Sequence, residues 1–110
     1  LSIIHEIDGL YKELYLTRGK IPKSDRFGIW NKIENIVIEC LELAITAALT
    51  AKDKKLIFIQ NLKTQIEVGK RLTRLTWELK IITDKKYLVL EQKYQQTSKM
   101  ATGWIKYLTK

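Results

Sequence analysis

The chain has 110 residues, 45% of them hydrophobic, with one cysteine, one histidine and a formal net charge of +8 at neutral pH. That length fits a single domain, 1–110, with one modest core, and the apolar share places the positive charge on a folded body rather than on a disordered tail. One cysteine excludes an internal disulfide and argues against structural zinc. The longest apolar runs, such as Leu56-Ile57-Phe58-Ile59, are far too short to cross a bilayer.

Helical periodicity predicts four helices, approximately 2–18, 25–51, 54–82 and 84–109. In the first, Ile3, Ile7, Leu10 and Leu14 recur at spacings of four, three and four, and Gly19 stops it. Ser24 reads as an N-cap for the second, with Asp25 in its first turn. Its stripe is Ile29, Ile33, Ile36, Cys40, Leu43 and Ala47, widened by Val37, Leu41, Ala44 and Ala48, so this helix is expected to be the most buried. Trp30 reads as a packing residue near its start, and the small Ala44, Ala47 and Ala48 admit a close neighbour.

Asp53 reads as the cap of the third helix, whose apolar arc is broad. Leu62, Ile66, Gly69, Leu72 and Thr76 form one side, and Ile57, Val68, Leu75 and Leu79 extend it by roughly 80–100° at ~100° per residue. We expect that shoulder to be a subunit interface; the plainer alternative is that it covers a turn or the end of the first helix. Thr83-Asp84 is the cap signal for the fourth helix, which carries Tyr87, Leu90, Tyr94, Thr97, Ala101, Trp104 and Leu108 at three/four spacing. No strand signal stands out. The expected fold is all-α, an antiparallel up-down-up-down four-helix bundle.

Charge is unevenly spread. Residues 1–50 carry six Lys/Arg against seven Asp/Glu, whereas residues 51–110 carry fourteen against five. An excess of that size points to a polyanionic partner. Lys63, Lys70 and Arg74 share one face of the third helix, with Arg71 beside them, and Lys99, Lys106 and Lys110 repeat the spacing on the fourth. Lys86 and Lys93 form a further pair, and Lys52, Lys54 and Lys55 cluster between the second and third helices. Such rows suit phosphates and select no base sequence. The competing reading is a solvated face: Glu67 lies four residues from both Lys63 and Arg71, and Glu78 four from Arg74. Trp104, Tyr87 and Tyr94 read as core. Trp77 reads as packing at an interface, with stacking on a base or an arginine as the alternative.

Enzymatic readings find no constellation. His5 has no second histidine, Cys40 falls on an apolar stripe, and the five glycines are scattered. Glu34 and Glu42 do not make a two-metal carboxylate site. We expect no catalytic activity, no metal, no cofactor and no small-molecule substrate. The lone cysteine suits a reducing cytoplasm. No charged-then-apolar signal region opens the chain, which begins at Leu1 rather than Met and leaves room for residues upstream.

Several segments carry a resemblance. They are Ile21-Pro22-Lys23-Ser24-Asp25-Arg26-Phe27-Gly28, Lys32-Ile33-Glu34-Asn35, Leu41-Glu42-Leu43, Arg71 to Lys80, Thr83-Asp84-Lys85-Lys86-Tyr87 and Thr102-Gly103-Trp104-Ile105. Their order resembles the accessory variability determinant proteins of diversity-generating retroelements. It is similar, more distantly, to the four-helix-bundle proteins encoded in intervening sequences of bacterial ribosomal RNA genes. The first resemblance implies a homopentameric barrel with a basic surface. That barrel would bind RNA or DNA and the element's reverse transcriptase while a template-repeat RNA is copied into error-rich cDNA. It also implies a partner-binding role for Arg74, with Lys70 and Arg71 as neighbours, and a structural role for Arg26 in tying the turn to a helix end. The expected interface is thus Lys63, Lys70, Arg71, Arg74, Lys99 and Lys106. The alternatives are a ribosomal-RNA-associated bundle protein and a plain homo-oligomeric module.

Overall fold

A computed structural model describes residues 2–110. The elements are α1 (Ser2–Thr17), a 3-10 turn (Arg18–Lys20), the one-turn α2 (Lys23–Arg26), α3 (Ile29–Leu49), a second 3-10 turn (Lys52–Lys54), α4 (Leu56–Glu78) and α5 (Asp84–Leu108). The described residues contain no strand. Helix α3 packs on α4 and α4 on α5, while α1 lies against both α3 and α5. The four long helices thereby enclose one core that contains Ile7, Leu14, Trp30, Ile33, Leu62, Ile66, Leu90 and Tyr94.

The predicted stripes are the buried ones. Ile3, Ile7, Leu10 and Leu14 are all buried on α1, and α3 buries Trp30, Ile33, Ile36, Val37, Cys40, Ala44 and Ala47. Ala48 departs from its expected role and is exposed. Trp30 also joins helix ends, since its indole Nε1 donates to the Leu14 carbonyl at 3.2 Å. Beside it the Arg18 guanidinium meets the buried Glu34 carboxylate at 3.0 Å, and that hydrogen bond raises the Arg18 pKa above its ordinary value.

Three helix boundaries differ from expectation. The second long helix starts at Ile29, not residue 25, because the segment holding Ser24 and Asp25 forms the separate one-turn α2. Gly28 makes the break: a Cβ there would lie 3.0 Å from the Ser24 carbonyl oxygen, so a side chain would force the turn to open by a few tenths of an ångström. Arg26 closes the same turn, with Nη2 donating to the Ile21 carbonyl at 3.0 Å. Asp53 lies in the second 3-10 turn rather than capping α4, whose N-cap position is Lys55.

The third long helix ends at Glu78, short of Ile82. Lys80 takes a left-handed φ of 62°, and the Ile81 N–H reaches back to the Thr76 carbonyl at 2.8 Å, a Schellman closure. A continued helix would put Ile82 seven residues beyond Leu75, in line with the outward face. The turn instead returns Ile82 to the core, where it is buried. Thr83 then caps α5 as expected, accepting from the Lys86 N–H at 3.1 Å.

Candidate nucleic-acid interface

The seam between α4 and α5 gathers most of the expected cations. Gly69 lets the helices close there, since a Cβ at this position would stand 3.3 Å from both Ile36 and Tyr94. One turn along, the Thr73 and Tyr94 hydroxyls share a buried hydrogen bond of 2.9 Å, and burial raises the Tyr94 pKa well above the ordinary phenol value. With the two backbones fixed at this depth, long side chains on their outer edges meet across the seam.

The expected rows are not uniformly free. Lys63 Nζ donates to Ser98 Oγ at 3.1 Å, and Ser98 Oγ donates to Glu67 Oε2 at 2.8 Å. Lys70 lies 3.9 Å from both Glu67 and Glu91. Glu78 holds Arg71 at 3.5 Å and Arg74 at 3.7 Å. The Arg74–Glu78 pair was legible from spacing, but Glu67 turns to Lys70 and Ser98 instead of pairing directly with Lys63 or Arg71. Exposed pairs of this kind contribute about 0.2–1 kcal/mol each, which a phosphate can outcompete. Even so, three carboxylates stand among the four cations of α4.

The α5 cations differ. Lys99 and Lys106 are exposed and have no ion-pair partner among the described residues. Together with Lys70 they line an open groove of about 510 Å³ completed by Gln95, Ser98, Thr102 and Gly103, with no carboxylate in its wall. Lys70, Arg71 and Arg74 border a second hollow, shared with Glu67, Glu91 and Tyr87. Lys63 and Arg71 edge a third, mostly apolar groove with Val68, Leu72 and Ile105. The six expected residues therefore fall into three adjoining sites and not one row. Gln95, Ser98 and Thr102 escaped the sequence reading because their only signal is their helical phase toward α4, which matters once the pairing of helices is known.

Other expected cations are engaged. Lys86 Nζ meets Glu13 Oε1 at 2.7 Å, so it does not form a free pair with Lys93. Lys52 stands 4.6 Å from the centre of the Tyr107 ring and Lys55 5.7 Å from that of Trp104. Trp77 stacks on Tyr87 at 4.5 Å and 9°, and its indole donates to Asp84 at 2.8 Å, so one face of the ring is taken up within the molecule. The apolar shoulder of α4 stays partly open: Ile57, Val68, Leu75 and Leu79 keep 57%, 39%, 37% and 60% exposure.

His5 is exposed. Cys40 is buried, and desolvation pushes its thiol up to about 12. Among the described residues no three His, Cys, Asp or Glu side chains stand together as a metal site, and no helix is long and apolar enough to cross a membrane.

A family model described as bAvd-like matches residues 1–108. No curated protein and no solved structure matches the chain. The family match spans nearly the whole sequence and agrees with the resemblance carried by the turn before α3 and by the Arg71–Lys80 segment: the chain belongs to the bAvd-like family.

Proposed function

We propose that the chain is a non-catalytic accessory protein of a diversity-generating retroelement. In this reading it is a cytoplasmic scaffold that holds RNA or DNA beside the element's reverse transcriptase during mutagenic cDNA synthesis. Family membership supports the setting. The observation that carries the nucleic-acid part is the groove of Lys70, Lys99 and Lys106, in which Lys99 and Lys106 have no ion-pair partner among the described residues and only Lys70 stands near carboxylates, Glu67 and Glu91. Lys99 and Lys106 lie two helical turns apart, about 10 Å, so each meets a separate phosphate. Gln95 and Thr102 add neutral hydrogen-bonding groups for phosphate oxygens. Such contacts position a strand without reading its bases.

The hollow bordered by Lys70, Arg71, Arg74, Glu67, Glu91 and Tyr87 suits a protein partner better than a polyanion, because its charges are mixed. We assign the reverse-transcriptase contact there, in keeping with the role that the family resemblance gives Arg74. No cofactor, metal or small-molecule substrate belongs to this mechanism. We further propose an antiparallel up-down-up-down bundle assembled as a homopentamer. The Glu13–Lys86 pair joins the end of α1 to the start of α5, and the Lys52–Tyr107 contact joins the approach to α4 to the end of α5; both support that direction of travel. The exposed α4 shoulder supplies a surface for assembly.

The test is charge reversal in the groove. Lys99→Glu with Lys106→Glu should weaken binding of RNA and DNA oligonucleotides by more than about tenfold. It should also flatten the slope of log affinity against log salt by roughly 0.7–0.9 per lost phosphate contact. Circular dichroism should stay helical, since both side chains are exposed. Undiminished binding would remove the groove from the mechanism. Failure of the purified chain to retain the reverse transcriptase, with its gene inside a ribosomal RNA operon, would favour the ribosomal alternative.

A further inference from the structure

One end of the bundle combines features that the lysine groove lacks. The start of α1 and the last turns of α5 enclose an open pocket of about 410 Å³ lined by Ser2, Ile3, Met100, Trp104 and Tyr107. Its walls are mostly apolar and carry two aromatic rings. Lysines surround it: Lys52 lies over the Tyr107 ring and also reaches its hydroxyl at 3.5 Å, and Lys55 lies over Trp104. Lys54 and Lys106 are close by in the chain, and Asp53 is the one carboxylate in that stretch of α4 approach. Tyr107 keeps 57% exposure even with Lys52 over its ring.

We propose that this pocket receives an unpaired nucleobase of a single-stranded nucleic acid. The inference rests on the reading that the Lys70–Lys99–Lys106 groove holds phosphates. That groove runs along α5 toward the same end, and Lys106 directly precedes Tyr107, which lies about 100° further round the helix. A strand that leaves the groove at Lys106 and turns round the end of α5 meets the pocket, where the rim lysines Lys52 and Lys55 neutralise its backbone. An apolar, two-ring cavity favours the face of a base, and cations at its rim favour the adjoining phosphates. Every base has such a face, and the lining offers few polar atoms to read an edge. The pocket thus selects for single-strandedness and not for sequence. A duplex keeps its bases stacked inside and gains only the groove.

The probe is a short oligonucleotide of one repeated base, as RNA and as DNA, each compared with an abasic strand of equal length and with a duplex. The intact chain should bind the base-bearing single strand about 5- to 100-fold more tightly than the abasic one, the range expected for stacking one base. Tyr107→Ala should erase that preference while leaving abasic binding unchanged, and Tyr107→Phe should retain it. Since Tyr107 is exposed, folding should survive, which circular dichroism checks. Equal affinity for base-bearing and abasic strands overturns the pocket but leaves the lysine groove standing. A preference that persists in Tyr107→Ala also overturns it. Binding of no strand at all removes both readings. The RNA and DNA arms show which sugar the site accepts, and either one supports the proposal.

Discussion

At the scale of single residues, burial sets the chemistry of the two groups that look most reactive. The Cys40 thiol is desolvated on the inner face of α3, and its pKa rises from 9.0 to about 12. The Tyr94 phenol is raised by the same cause. For both, the native state keeps a proton that the unfolded chain releases. Their stabilisation is therefore complete below about pH 9 and declines as pH rises toward the native values, by roughly 1.4 kcal/mol per pH unit for each group. Urea midpoints measured at about pH 8 and about pH 10.5 should show that decline, and Cys40→Ala should remove part of it. A midpoint that stays level across this window would contradict the burial argument.

Element ends carry the next prediction. Lys80 occupies the left-handed position that closes α4, where glycine avoids the Cβ cost. Lys80→Gly should stabilise the protein by about 0.5–1 kcal/mol, offset slightly by the freer unfolded chain, and raise the thermal midpoint. A lower midpoint would mean that the Lys80 side chain makes contacts that outweigh its backbone strain. The same turn shows where sequence reasoning stops. Ile3 through Leu14, Ile33 through Ala47 and Leu90 through Ala101 announced their buried faces because helical phase is a local property. The closure after Glu78 was missed because Ile82 is apolar and looks like more helix. Its backbone turns inward because Lys80 takes the left-handed conformation, which the residue type at 80 does not announce. Gly28 was missed for the converse reason, since the short α2 before it has its own capping signals. In the candidate site, the cationic faces were legible residue by residue. Their partition was not: Lys63–Ser98 and Lys70–Glu91 join residues on different helices, and such pairs exist only after α4 and α5 have docked.

At the scale of the whole molecule, the open question is what covers α4. Val68 and Leu75 lie on one outward line and remain more than a third exposed. In the proposed homo-oligomer they meet a neighbouring copy. Val68→Glu with Leu75→Glu should reduce the mass seen by light scattering to that of one chain and leave the helical signal unchanged. An unaltered mass would assign the contact to another face, and a wild-type chain that is already monomeric would discard the assembly. The two outcomes separate the interface from the lysine groove, whose side chains lie toward α5.

The clasp between Glu13 and Lys86 spans 73 positions of chain. During synthesis α3 can cover one flank of α1 soon after it appears, but the other flank waits for α5. At about 5–20 residues per second that wait lasts several seconds. Throughout it Ile3 and Ile7 have company on one side only, and nascent copies emerging from the same messenger are the nearest alternative. Slower elongation over residues 50–108 should therefore increase misassembly between copies, with the α5 of one chain completing the α1 of another.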